Sequence, residues 1–253
     1  MDLHLFFTLL LYSLPGLVIG FTLHELMHAV VSVRLGDNTP RRDGRLSLDP
    51  LVQIDPFGFA ALVVIGFGFA RPVVINTLRI RTPVQRALVA FAGPATNLAL
   101  AAIAGIALRL LVAASPSISE PSLSISDSGL IEFPYFGQGG AGFILFWVLY
   151  QTMYINALLF VFNMIPIPPL DGFRVFQALF GRALPDLFTW MERNAQLLAV
   201  VGILALFVLP RVGDNQAGNV LTSAVQRVVS TLYHGSEPPV AGFESLFNAL
   251  SGR

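Results

Sequence analysis

Long apolar runs alternate with short polar segments along the sequence. The three longest cover about residues 5–33, 87–113 and 143–164, and each reaches the roughly 20 residues that a helix needs to cross a bilayer. Shorter runs lie at about residues 56–70 and 194–209. Because backbone inside lipid must satisfy its own hydrogen bonds, these runs are expected to be helical. The pattern predicts an all-α polytopic membrane protein with about five to six transmembrane or re-entrant segments.

Composition supports a membrane location and narrows the range of partners. Hydrophobic residues make up 55% of the chain, charged residues only 12%, and the mean hydropathy is +0.71, which is typical of integral membrane proteins. A net charge of zero argues against nucleic acid as a partner. The chain has no cysteine, which excludes disulfides, cysteine zinc ligands and cysteine nucleophiles. We therefore expect a multi-pass protein of the cell membrane, surrounded by the lipid bilayer.

The charged segments between the runs predict the topology. Four arginines follow the first run, namely Arg34, Arg41, Arg42 and Arg45, so the positive-inside rule places this loop in the cytoplasm and the N-terminus outside. The run at residues 56–70 has an apolar core of only about fifteen residues and basic flanks on both sides. This favours a segment that enters the membrane and returns, or an irregular hairpin against protein, while the alternative is a short tilted span. Residues 115–140 are rich in Ser, Pro, Gly and acidic side chains, which is typical of a loose, non-cytoplasmic loop.

The first run contains three polar side chains, His24, Glu25 and His28, in an H-E-x-x-H pattern. Positions i and i+4 share one face of a helix, so both imidazoles can bind one metal ion, and Glu25 is placed to take a proton from a water at that metal. The alternative is that these side chains only make interhelical hydrogen bonds. Because such groups are costly at membrane depth, they indicate a functional site. His28 precedes Arg34 by roughly 9 Å along the helix axis, so the site is expected in the membrane, nearer the cytoplasmic face.

A second polar stretch follows the run at residues 143–164. Three prolines within residues 166–169 forbid a helix, and Asp171 comes directly after them. Topology puts Asp171 at the depth of the two histidines, where a carboxylate is a suitable third zinc ligand. The alternative is a helix cap in a Pro-Gly turn. The metal motif at matching depth favours the ligand.

Two further regions leave alternatives open. Asn97 lies in the apolar run at residues 87–113, where it can serve the active site or make an interhelical hydrogen bond. At the other end, residues 173–193 are amphipathic and residues 194–209 return outward. We expect a membrane-embedded domain at residues 1–210 and a tail at residues 211–253, in which an apolar stripe (Val220, Leu221, Ala224, Val225, Val228, Val229 and Leu232) predicts an amphipathic helix on the membrane surface.

Several motifs together resemble the site-2 proteases, a family of intramembrane zinc metalloproteases. They are H-E-L-M-H at residues 24–28, A-G-P-A-T-N at 92–97 and N-M-I-P-I-P-P-L-D-G at 163–172, with D-P-F-G at 55–58 and G-F-G-F-A-R-P at 66–72 in support. The resemblance covers about residues 15–180 and is closest to the compact prokaryotic subgroup without a PDZ domain. It implies one zinc ion bound by His24, His28 and Asp171, with Glu25 as catalytic base. It also implies that Asn163 and Asn97 bind substrate or stabilise the oxyanion.

The implied activity is that of a metalloendopeptidase that hydrolyses peptide bonds of transmembrane or membrane-associated proteins. Because a helical substrate hides its amides, it must unwind, and residues 66–75 or 166–169 could pair with the extended chain. The alternative is a metal-binding membrane scaffold or transporter without hydrolytic activity. A transporter is expected to have broken helices in two repeated halves, which the sequence lacks, and a scaffold would tend to lose Glu25.

Overall fold

Three long helices form the framework of the protein. The computed structural model describes residues 3–65, 70–114, 124–125, 131–132, 140–207 and 216–233. Its helices are α1 (Leu3–Arg34), α2 (Thr39–Arg42), α3 (Pro50–Gln53), α4 (Pro56–Ile65), α5 (Pro83–Ala114), α6 (Gly140–Asn163), α7 (Asp171–Phe180), α8 (Pro185–Arg193), α9 (Ala195–Phe207) and α10 (Gln216–Leu232). Two strands of two residues each, β1 (Ser124–Ile125) and β2 (Ile131–Glu132), pair antiparallel within the predicted loop at residues 115–140; the rest of that loop lies outside the described residues.

The predicted all-α class is confirmed. Helices α1 (from Leu10), α5 and α6 are long and apolar enough to cross a membrane, and they correspond to the three longest apolar runs. The two shorter runs form helices of 10 residues (α4) and 13 residues (α9) in the described part of the chain. The amphipathic region at residues 173–193 forms α7 and α8, which are joined by the packing of Phe173 on Phe188 and by an ion pair between Arg174 and Glu192.

Glycines on α1 allow it to lie close to α6. A Cβ added to Gly16 would lie 2.7 Å from the Cα of Thr152, and one added to Gly20 would lie 2.6 Å from Asn156 Oδ1. Small residues at such crossings let two membrane helices approach until their backbones nearly touch. Gly16 and Gly20, which precede the H-E-x-x-H motif in the sequence, therefore have a packing role, and α1, α5 and α6 form one tight three-helix unit.

The C-terminal helix α10 lies elsewhere than predicted. We expected its apolar stripe to face the membrane surface, and this prediction is wrong. Val225 and Val229 are each 1% exposed and belong to the same core cluster as Leu108 of α5 and Trp147 of α6. The physical reason is that α5 and α6 offer an apolar surface that buries the stripe as fully as lipid would.

Between α1 and α5, the chain at Ile54 meets the chain again at Ala70. Ile54 and Ala70 form an isolated antiparallel bridge, and the backbone N–H of Arg71 donates to the carbonyl of Gln53 at 3.0 Å. The two ends of the segment at residues 55–70 therefore meet, and the placement of this segment relative to the membrane stays a prediction. Residues 66–69 lie outside the described part of the chain.

A buried carboxylate anchors this segment to the end of α1. Asp37 accepts hydrogen bonds from the backbone N–H of Asn76 at 2.8 Å, from that of Thr39 at 2.9 Å and from the hydroxyl of Ser32 at 3.2 Å. Burial opposes ionisation of Asp37, but these hydrogen bonds outweigh it and hold the pKa of the carboxyl below its ordinary value. The chain that follows the segment at residues 55–70 is thereby fixed beside the C-terminal end of α1, the end predicted to be cytoplasmic from the arginines.

Candidate metal centre

Two helices bring three ligand-type side chains together. His24 Nε2 and His28 Nε2 on α1 lie 3.0 Å apart, and Asp171 Oδ2, from the first residue of α7, lies 3.2 Å from the former and 3.3 Å from the latter. Both imidazoles are buried and the carboxylate is partly buried. The i and i+4 spacing of the histidines produces this geometry directly, because it places both rings on one helix face.

The proline-containing turn places Asp171 in this cluster. α6 ends at Asn163, and the chain then turns until Leu170, in extended conformation, becomes the N-cap of α7. Asp171 is therefore the first helical residue and not the cap, and its side chain faces the histidines. Gly172 allows the tight turn, because a Cβ at this position would lie 2.7 Å from the carbonyl oxygen of Ile165.

The outer nitrogen of each imidazole is also engaged. His28 Nδ1 lies 2.7 Å from the backbone carbonyl of Val89, and His24 Nδ1 lies 2.5 Å from Asn97 Oδ1. A carbonyl oxygen can only accept, so His28 carries its proton on Nδ1 and presents a bare lone pair on Nε2. Such outer contacts are typical of histidines that bind a metal, because they fix the tautomer and the ring orientation.

The donor set fits a zinc ion. Two imidazole Nε2 atoms and one carboxylate oxygen converge within 3.3 Å of one another, and three lone-pair donors at this distance repel unless a proton or a metal ion lies among them. Two nitrogens and one oxygen make a suitable catalytic zinc site, which leaves a fourth position open for water or substrate. The residues present therefore fit the metal that the sequence predicts.

Comparison with known proteins assigns the family. A model of peptidase family M50 matches residues 12–209. This chain belongs to peptidase family M50. It is 35% identical over 213 residues to the Bacillus subtilis protein named "Putative zinc metalloprotease YwhC". The aligned region covers 83% of this chain and 87% of that protein. It is 29% identical over 205 residues to the Mycobacterium tuberculosis protein named "Putative zinc metalloprotease Rip2". The aligned region covers 78% of this chain and 66% of that protein. No solved structure matches the chain.

The M50 peptidase is thus an intramembrane zinc metalloprotease, and the resemblance to the site-2 proteases is confirmed. A scaffold or transporter without hydrolytic activity is not favoured, since the relatives are named as zinc metalloproteases. Its three long apolar helices agree with a membrane location.

The asparagines predicted for substrate differ in their surroundings. Asn97 of the M50 peptidase is 0% exposed; its amide donates to Asn156 Oδ1 at 2.9 Å and to the carbonyl of Gly20 at 3.3 Å, while its oxygen contacts His24. It therefore makes the interhelical hydrogen bonds that the sequence left open as one of two roles, and both of its N–H donors are engaged within the protein. The half-buried Asn163 donates to the carbonyl of Leu159 in its own helix at 3.0 Å, a contact that does not connect it to the three ligands.

Three residues of this site were missed from the sequence. Arg45 is 5% exposed; its guanidinium lies 3.9 Å from Glu25 Oε2 and also donates to the carbonyls of Val52 and Arg71. In the sequence Arg45 is one of several arginines in a polar loop, and no periodicity distinguishes it from the others. Gly93 leaves the room that the histidines occupy, because a Cβ there would lie 2.6 Å from His24 Nε2. Asn156 is a polar residue in an apolar run, a signal that was present in the sequence but not used.

Proposed function

We propose that this M50 peptidase uses one zinc ion, bound by His24, His28 and Asp171, to cleave transmembrane or membrane-associated proteins within a multi-pass membrane domain. The observation that carries the proposal is the convergence of the three lone-pair donors within 3.3 Å. The short distance from His28 to the arginine-rich loop supports a site nearer the cytoplasmic face.

Glu25 is proposed as the general base. It follows a ligand directly in the chain, is 8% exposed, and has the Arg45 guanidinium 3.9 Å away to hold its carboxylate. Zinc, when bound, supplies a Lewis acid that polarises the scissile carbonyl and acidifies a water molecule. Glu25 accepts a proton from that water while the water oxygen forms a bond to the scissile carbonyl carbon. The same proton is then delivered to the departing amine as the C–N bond breaks, which completes hydrolysis.

Asn163 is proposed as a donor to the oxyanion. It is the last residue of α6, eight positions before Asp171, and it is only partly buried. A donor of this kind contributes roughly 2.7–4 kcal/mol to transition-state stabilisation in other hydrolases. Asn97 is assigned to positioning and not to substrate, because its amide hydrogens and its oxygen all have partners within the protein.

An extended substrate is proposed to pair with the segment at residues 71–75. This segment follows the Ile54–Ala70 bridge, is neither helix nor strand, and is held at its ends by the N–H groups of Arg71 and Asn76. Val74 is 64% exposed, so Val74→Pro would remove one backbone donor without changing the core. Loss of cleavage in Val74→Pro, but not in Val74→Ala, supports the pairing, whereas equal cleavage in both variants rejects it.

The function is tested by comparing wild type with Glu25→Gln, both purified in detergent. Metal analysis and cleavage of a model transmembrane substrate are measured on the same samples. We expect about one zinc per chain in both proteins and cleavage by wild type alone. Absence of zinc from both would reject the metal site, and cleavage by Glu25→Gln at the wild-type rate would reject the role of Glu25.

A further inference from the structure

Asn156 lies at the crossing of α1, α5 and α6 and takes no direct part in the metal cluster. It is 0% exposed in the middle of an apolar helix. A buried amide costs free energy unless all its hydrogen bonds are made, and an apolar side chain of similar size would fill the same space. Asn156 makes all of its bonds, so its partners indicate what it does.

The partners of Asn156 fix the orientation of its amide. Its Nδ2 lies 2.9 Å from the carbonyl oxygen of Thr152 and 3.2 Å from that of Gly16. Both partners are acceptors only, and a flipped amide would place Oδ1 against two carbonyl oxygens. The NH₂ group must therefore face Thr152 and Gly16, which leaves Asn156 Oδ1 pointing toward Asn97.

The orientation of Asn97 follows from that of Asn156. Asn156 Oδ1 accepts from Asn97 Nδ2 at 2.9 Å, and the carbonyl of Gly20 accepts from the same nitrogen at 3.3 Å. The NH₂ group of Asn97 is thus committed to two acceptors, and its Oδ1 must face His24 Nδ1 at 2.5 Å. That oxygen can only accept, so the proton of His24 must be on Nδ1 and the lone pair on Nε2.

We propose that Asn156 is a positioning residue that sets the tautomer of His24 through Asn97. The chain of hydrogen bonds runs from two backbone carbonyls, through two amides, to the nitrogen opposite the metal-facing one. For His28, the backbone carbonyl of Val89 fixes the tautomer directly, without an intervening side chain. This inference rests on the proposed function, because it treats His24 as a zinc ligand.

Close helix packing makes this arrangement possible. A Cβ at Gly20 would lie 2.6 Å from Asn156 Oδ1, so only glycine allows the amide to reach its partners on α1. The glycine spacing of α1 therefore serves the metal site as well as the packing of the three helices. In energetic terms Asn156 removes the competing tautomer, in which Nε2 would carry the proton and could not bind a metal.

The test compares Asn156→Leu, which keeps the volume but removes the amide, with Thr96→Val as the control. Thr96 neighbours Asn97 on α5, and its hydroxyl donates within that helix to the carbonyl of Ala92 at 2.8 Å. Two quantities are measured on each protein: the ¹H–¹⁵N signal of His24 Nδ1–H in the metal-free state, assigned with His24→Ala, and the dissociation constant of zinc. Asn156→Ala serves in the same way should the leucine variant fail to fold.

We expect Asn156→Leu to lose or shift the Nδ1–H signal and to bind zinc about 10–100-fold more weakly, the usual effect of removing an outer partner of a metal-binding histidine. Thr96→Val should match wild type in both measurements. An unchanged Nδ1–H signal in Asn156→Leu overturns the inference. A changed signal with unchanged zinc affinity in Asn156→Leu also overturns the inference, because the tautomer of His24 would then not matter for zinc. Unchanged zinc affinity in His24→Ala instead overturns the proposed function, because His24 would then not bind the metal.

Discussion

Gly93 gives the sharpest prediction about the geometry of the metal centre. A Cβ at this position would lie 2.6 Å from both Nε2 and Cε1 of His24 and closer still to His28 Nε2, whereas ordinary contact begins at 3.4 Å. In Gly93→Ala, the imidazoles and α5 must therefore separate by about 0.8 Å at His24 and by more at His28, while metal ligands tolerate errors of only about 0.2 Å. Both rings are buried, so they have little room to move aside.

The expected result is a loss of function without a loss of fold. A displacement of this size corresponds to a fall of about 100-fold in cleavage, and zinc should bind at least about tenfold more weakly. Zinc affinity is measured by competition with a chelator, and cleavage with a model transmembrane substrate.

The matched control is Gly105→Ala on the same helix. There the new Cβ would lie 3.1 Å from the flexible end of Met153, which can move at small cost. Both variants gain the same helix propensity, roughly 1 kcal/mol, so a difference between them reports the metal site. Wild-type zinc affinity and cleavage in Gly93→Ala would refute the reasoning.

Three further substitutions test other parts of the account. Asn163→Ala should lower kcat about 10²–10³-fold with unchanged zinc content, as expected for loss of an oxyanion donor; an unchanged kcat would remove Asn163 from the site. Arg45→Met should lower kcat about tenfold or more, because the carboxylate of Glu25 loses its partner. The control Arg174→Met, which removes an exposed ion pair, should leave kcat unchanged. Equal kcat values in the two variants would speak against a role for Arg45. Asp37→Asn should destabilise the protein by about 1.5–3 kcal/mol near neutral pH. The pKa of Asp37 is lowered on folding, so its carboxylate stabilises the folded protein above the unfolded-state pKa of about 3.9, and this stabilisation is lost as the pH falls through the lower folded-state pKa. The melting temperatures of wild type and Asp37→Asn should therefore converge at acidic pH. A difference in melting temperature that stays constant from neutral to acidic pH would contradict this.

Much of the metal site could be predicted because its determinants are local. His24 and His28 lie one turn apart on a helix, so their convergence follows from helix geometry alone. Asp171 required more, since its depth had to be inferred from the arginines of the first loop and from the prolines before it. The structure places these three side chains together as the sequence predicts.

The residues that were missed act across the fold. Asn156 is 59 positions from Asn97, and Asn97 is 73 positions from His24, so their connection depends on the packing of three helices. Arg45 reaches Glu25 only because the loop folds back over the end of α1. The surface assignment of α10 was wrong for a related reason: an apolar stripe has the same period whether it faces lipid headgroups or other helices.

X-ray absorption at the zinc edge tests the central claim most directly, because it reads the ligands of the bound metal. The protein would be purified without a histidine tag, as wild type and as Glu25→Gln. We expect two imidazole ligands at about 2.0–2.1 Å with oxygen ligands completing the shell. The spectrum should be the same for both proteins, since Glu25 is proposed as a base and not as a ligand. Fewer than two imidazoles, or a ligand shell that changes in Glu25→Gln, would contradict the central claim.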